Sequence, residues 1–158
     1  MIQIERTGDW KKLESLLDPN IFAREVLESI QELLGDSADT IVRQQREKIK
    51  SGELPANAPY TIMLKGQNSP LIDTGALLAS IQSVKMGDDF VAGPQGSHYS
   101  GMTASELAVK HEMGGFFLIG NTVHFVPARK FAQEPIDEEM ERLPDELIEK
   151  IAGVFDSM

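Results

Sequence analysis

Apolar positions recur at helical spacing over the first third of the chain and at strand spacing in its middle. From Ile21 to Lys50, the positions Phe22, Val26, Ile30, Leu33, Ser37 and Ile41 hold one face at steps of three or four, which predicts a long helix. Asn20, following the break at Asp18-Pro19, is the candidate N-cap, and Ser51-Gly52 the stop. Gly35 weakens the middle by about 1 kcal/mol relative to alanine, so it marks a kink or a close packing contact. Upstream, Trp10, Leu13, Leu16 and Leu17 predict a short helix over 9–17. Residues 52–69 are turn-rich, with Gly52, Pro55, Asn57 and Pro59. Within them, 59–65 fits either two turns of helix opened by proline or a strand through Tyr60, Ile62 and Leu64.

The stretch Pro70-Leu71-Ile72-Asp73-Thr74-Gly75-Ala76-Leu77-Leu78-Ala79-Ser80-Ile81 reads as a capped turn opening a short amphipathic helix, with Leu77, Leu78 and Ile81 on one side. Alternation then takes over. Ile81, Ser83 and Lys85 oppose Gln82, Val84 and Met86, Gly87-Asp88-Asp89 turns, and Phe90 to Pro94 returns, giving a hairpin whose turn is slightly longer than two residues. After a loop over 96–101, Thr103 and Glu106 form a capping box for a helix to Met113, with Leu107, Ala108 and His111 on one face. Gly114-Gly115 stops it. Strands over 116–119 and 123–126 flank the turn dipeptide Gly120-Asn121, and Pro127 ends the second. The C-terminal part is helical, with Pro135 and Pro144 each placed in the first turn of a new segment. The expected fold is therefore a single α+β domain over 1–158. An antiparallel sheet built from hairpins packs against a long N-terminal helix, a short central helix and a C-terminal helix. Its parts are a helical segment 1–51, a core 52–131 and a helical tail 132–158.

Composition narrows the function classes. The chain has 41% hydrophobic and 25% charged residues, ordinary for a soluble domain. With no cysteine, disulfides, thiolate metal sites and cysteine nucleophiles are excluded. No apolar run reaches the roughly 18 residues of a membrane span, and the N-terminus lacks the basic-then-apolar order of a signal peptide. A net charge of −10 argues against nucleic acid as a general ligand. The cations Arg43, Arg46, Lys48 and Lys50 read as a solvated helix end. The late acids Glu134, Asp137, Glu138, Glu139, Glu141, Asp145, Glu146 and Glu149 read as the wet face of a helix, or as the lining of a channel through which DNA passes without sticking.

Asp73-Thr74-Gly75 carries the one sharp chemical signal. In an aspartic protease, such a tripeptide supplies one of two carboxylates that share a proton, and a dimer would supply the second. Its setting is wrong for that frame: the polar Gly66-Gln67-Asn68-Ser69-Pro70 precedes it, a helix pattern follows it, and some fifty N-terminal residues are helical. His111-Glu112 is half of a zinc-protease motif, but Gly114-Gly115 breaks its helix before a second histidine. His98 and His124 are too distant in sequence to complete a metal site, so no metal or cofactor is expected. Gly93-Pro94-Gln95-Gly96 is a turn rather than a phosphate loop, and no serine sits in a Gly-x-Ser-x-Gly elbow.

Four short motifs stand in one order: the Pro-Leu-Ile-Asp-Thr-Gly-Ala-Leu-x-x-Ser-Ile block over 70–81, the hairpin ending Val91-Ala92-Gly93, Ala108-Val109-Lys110-His111-Glu112-Met113-Gly114, and Val126-Pro127-Ala128-Arg129-Lys130-Phe131. In this order they resemble the tail-completion and head–tail joining proteins of long-tailed bacteriophages. The likeness covers about 55–135, including Asn57-Ala58-Pro59-Tyr60-Thr61 and Lys65-Gly66. Two positions depart: Tyr99 stands apart from Ala108, and Lys130 replaces the usual proline after Arg129. The resemblance implies a non-enzymatic virion protein at the neck, forming a homohexameric ring around the DNA channel. Its partners would be itself, the head-completion or connector proteins and the tail-tube proteins; DNA would pass without sequence-specific binding, and no membrane is involved. Its location would be the virion neck, and the host cytoplasm during assembly. The implied structural and interface residues are Thr74, Gly75, His111, Glu112, Gly114, Pro127, Arg129 and Phe131. Thr74 would be the N-cap of the short helix, Gly75 would allow the tight turn, and Pro127 with Arg129 would brace the final helix.

Overall fold

The computed structural model describes residues 18–98, 101–119 and 121–157; the helix expected over 9–17, Tyr99 and Gly120 lie outside them. Helix α1 runs Pro19–Lys50. Its cap is Asp18, two residues before Asn20: the Asp18 carboxylate accepts the Asn20 amide at 2.9 Å. Pro19 explains the shift, because at the first helical position its missing N–H leaves nothing unmet. Gly35 produces a close contact, since a Cβ there would stand 3.3 Å from the Phe90 ring. Helix α2 spans Pro59–Lys65, so the helical alternative holds for that segment. Helix α3, Ala76–Ser80, follows Gly75, which itself occupies the cap position at φ +82°. Thr74 is therefore not the N-cap; its hydroxyl accepts the Ala76 amide at 3.3 Å from one residue further out.

Strands β1 (Ile81–Met86) and β2 (Asp89–Pro94) pair antiparallel from Ile81↔Pro94 to Met86↔Asp89. The turn is thus only Gly87-Asp88, tighter than the sequence suggested, and Gly87 at φ +67° supplies the positive φ that a two-residue hairpin asks of its first position. Helix α4 covers Ala104–Met113 with both arms of its Thr103–Glu106 capping box made. Strands β3 (Gly115–Ile119) and β4 (Thr122–Val126) form the second hairpin, and helix α5 runs Gln133–Ser157.

Two features of α5 correct the sequence reading. Pro144 lies inside one continuous helix rather than opening a new segment. The carbonyl deprived of a partner belongs to Met140, which is exposed and open to water. Arg142 then ties the turns on either side, pairing with Glu139 at 3.1 Å and with Glu146. Glu139 is also not on the wet face, for it is only 3% exposed.

The fold is α+β, as expected, but the two hairpins remain separate two-stranded sheets rather than one. Helix α1 is the spine, with α5 packed along it on one side and the β1–β2 hairpin on another. Phe22 and Phe155 close the far end at 4.7 Å between ring centroids. The main core lies where α1, α3, β1 and α4 meet, built from Val42, Ile49, Leu77, Ile81, Ala108 and Phe131. At about 25 cal/mol per Å² of buried apolar area, fully buried Ile81 and Phe131 each contribute on the order of 2–3 kcal/mol. The cationic end of α1 is only partly solvated: Lys48 pairs with Glu134 at the start of α5, and Arg46 is half-buried. No described helix is long and apolar enough to cross a membrane.

Candidate functional site

Two short motifs far apart in sequence dock on each other at the C-terminal end of α4. Gly114 ends that helix at φ +62°, and a Cβ there would fall 2.4 Å from the Ala128 amide nitrogen and 2.7 Å from the Val126 carbonyl. Only glycine permits this approach of the chain leaving β4. Two residues earlier, the buried Glu112 carboxylate accepts three backbone amides, from Phe131 at 2.9 Å, Ala132 at 3.0 Å and Gln133 at 3.3 Å. Gln133 opens α5 and Phe131 and Ala132 lead into it, so a side chain from α4 holds the start of a helix some twenty residues away. The Arg129 amide donates to the His111 carbonyl at 2.8 Å, completing the strap. Pro127, half-buried and without an amide proton, sits in the strap where no ladder bond is available. Phe131 anchors it, fully buried in the core. Gln45 on α1 adds a bond from its side-chain amide to the Ala132 carbonyl at 3.1 Å.

Arg129 points the other way, and its exposure is only 4%. Its Nε donates to the Pro55 carbonyl at 3.1 Å, and Nη2 to the Ala56 carbonyl and the Asn57 Oδ1, each at 3.3 Å. Its Nη1 lies 3.4 Å from His111 Nδ1. A guanidinium has only donors, so Nδ1 is the acceptor and the neutral imidazole carries its proton on Nε2. The Arg129 side chain thus braces the loop over 55–57 against α4, whereas bracing of the final helix, which the resemblance gave to Pro127 and Arg129, comes from Glu112.

These groups form one wall of a cleft of about 300 Å³, which also receives Thr61 and Lys65 of α2, Leu71, Asp73, Thr74 and His98. The opposite wall is shaped by a strained turn. Ile72 donates to the Ser69 carbonyl at 3.3 Å, with Leu71 at φ +61°. That is the position of a type II turn normally given to glycine or asparagine, and a leucine there is uncommon. Leu71 stays because its side chain packs against the core, and because Lys65 Nζ clasps both ends of the turn, reaching the Ser69 carbonyl at 3.3 Å and the Ile72 carbonyl at 2.5 Å.

The cleft is electropositive in an acidic chain. Burial first, then the positive charges of Arg129, Lys65 and His98, push His111 down to about 4 from an ordinary 6.5. Burial likewise lowers Arg129. Among the described residues no carboxylate lies within 4 Å of Lys65 or Arg129, and each is bonded only to neutral acceptors.

Of the residues singled out from sequence, Asp73, Thr74, His111 and Arg129 meet in the cleft. Glu112, Gly114, Pro127 and Phe131 meet in the strap behind it, and Gly75 sets the start of α3. His98 joins the cleft, whereas His124 lies on the exposed β4. Among the described residues no three metal-ligating side chains gather. Asn57, Lys65 and Leu71 fall within the resembling segments, but nothing in their types or spacing marked them as walls of a cleft; a lysine at the end of a short helix and a leucine after proline look like ordinary surface and core choices. No family of known proteins matches the chain, and neither a curated protein nor a solved structure does.

Proposed function

We propose that the chain is a structural, non-enzymatic component of a long-tailed bacteriophage neck, a tail-completion or head–tail joining protein that assembles as a homohexameric ring around the DNA channel. The observation that carries the assembly part is the β3–β4 hairpin. Its register sets Phe116 opposite Phe125 and Leu118 opposite Val123, four large apolar side chains on one face. They are 77, 63, 71 and 64% exposed, respectively. No charged side chain except titratable His124 interrupts the hairpin. A two-stranded ribbon with an open apolar face is marginal in water and becomes stable when a neighbour covers it. Its free strand edges suit backbone pairing with another subunit. A heterologous contact of this kind, repeated with rotation, closes a ring.

The motif block supports the same reading. Residues 73–75 lead into helix α3, His111 to Gly114 and Val126 to Phe131 lock together as a joint, and each group serves to hold elements in place. The exposed acids of α5 supply a surface that repels DNA phosphates, as a lumen requires.

Two measurements test the reading. Replacing Phe116 and Phe125 by serine is expected to leave a folded monomer and abolish the oligomer seen in native mass spectrometry. Peptide hydrolysis by the purified protein that disappears in Asp73→Asn, with the fold intact, would overturn the structural role and install a dimeric aspartic protease in its place.

A further inference from the structure

We propose that the cleft between α2, the Ser69–Ile72 turn and α4 is a binding site for a carboxylate, seated among Lys65, Asn57, Arg129 and His111. This goes beyond the neck assignment and stands independently of it, since it rests on the unmet bonding capacity of the cleft walls.

That capacity consists of donors. Arg129 spends four N–H groups on Pro55, Ala56, Asn57 and His111, leaving one at Nη1. Asn57 turns its oxygen to Arg129, which leaves its Nδ2 buried and without a partner among the described residues. Lys65 uses two of three ammonium protons on the turn carbonyls. His111, with its acceptor nitrogen facing Arg129, offers only Nε2–H. A buried cation bonded solely to neutral acceptors is hydrogen-bonded but not neutralised, and an anion arriving beside it recovers the Coulomb energy that burial forfeited.

The choice of a carboxylate over a phosphate follows from the donors: the few spare N–H groups match the roughly four lone-pair sites of one carboxylate, and Asp73 lines the same cleft, which leaves no room for a second anionic group. A volume of about 300 Å³ suits an acid side chain or a small organic acid.

The test is NMR titration of the full chain with sodium acetate, and separately with inorganic phosphate, at ionic strength held constant with chloride. The expected result is a saturable shift of the His111 ring resonances and the Asn57 side-chain amide with acetate. Lys65→Met and Thr61→Asp should each weaken acetate binding by about tenfold or more while the rest of the amide spectrum stays in place. Thr61 is at the third position of α2, where an aspartate suits the helix start, so this variant remains informative if loss of the lysine clasp unfolds the first. If the same resonances shift with protein concentration in acetate-free buffer, and acetate reverses that shift, the carboxylate comes from a second copy; if they do not, it comes from a free acid. Absence of a saturable shift, equal acetate affinity in both variants, or tighter binding of phosphate than acetate would overturn the proposal.

Discussion

At the scale of single residues, the α4–α5 joint depends on a glycine and a glutamate whose roles are separable. Gly114→Ala places a methyl against backbone at 2.4 Å in a left-handed conformation, with no flexible side chain able to yield. It is expected to destabilise the fold by about 3 kcal/mol or more, read from urea unfolding. Glu112→Ala strands three amides at the start of α5 and is expected to cost about 2–4 kcal/mol, whereas Glu112→Gln keeps an acceptor and costs less. Equal losses in the two would show that packing rather than capping holds the helix. His111 gives the pH dependence. Its folded value of about 4 lies below the ordinary 6.5, so between those pH values the unfolded chain binds a proton that the folded chain refuses. Its contribution to stability is complete above pH 6.5 and is lost as pH falls toward 4, at up to about 1.4 kcal/mol per pH unit. Comparing unfolding at pH 7 and pH 5, His111→Gln should lose less stability than the parent; matching slopes would remove His111 as the cause. At this scale the sequence was only partly legible. Glycine punctuation and the Thr103–Glu106 box are local chemistry and can be read directly. The Glu112 cap, the Lys65 clasp and the positive φ of Leu71 depend on partners elsewhere in the fold, which no spacing rule encodes.

At the scale of elements, periodicity served where one face is buried along its whole length. Helix α1, the β1–β2 hairpin and α4 follow from it because core contact selects their apolar positions. It failed where a local preference lost to a tertiary one. Pro144 suggested a break, yet packing of α5 along α1 and the Arg142 bridge over the proline keep the helix continuous. Glu139 belonged to an acidic run, yet its position on the α1-facing side buries it. The β3–β4 hairpin is the opposite case, because its pattern shows strand without showing what covers it. Its apolar face makes a direct prediction. Phe116→Ser with Phe125→Ser should change unfolding free energy of the monomer by no more than about 1 kcal/mol, because both rings are already largely in water. The same pair should eliminate assembly. A large loss of monomer stability would mean that the hairpin packs inward and is not an interface.

At the scale of the whole molecule, the proposed ring would draw on a rigid frame and on one exposed apolar hairpin. The close approach of Gly114 to Val126 and Ala128, with the Arg129 amide on the His111 carbonyl, ties one end of the β3–β4 hairpin to the end of α4. Acidic side chains are exposed along α5, and the cleft beside Arg129 brings in the ammonium of Lys65. Repeated contacts between unlike surfaces are what a closed ring uses. The neck assignment rests on oligomerisation through that hairpin, and the native mass is its most direct test. Native mass spectrometry of the intact chain is expected to give a species of about six times 17.4 kDa that collapses to the monomer on the Phe116→Ser, Phe125→Ser substitution. An obligate dimer unaffected by that substitution, or a monomer at every concentration, would contradict it.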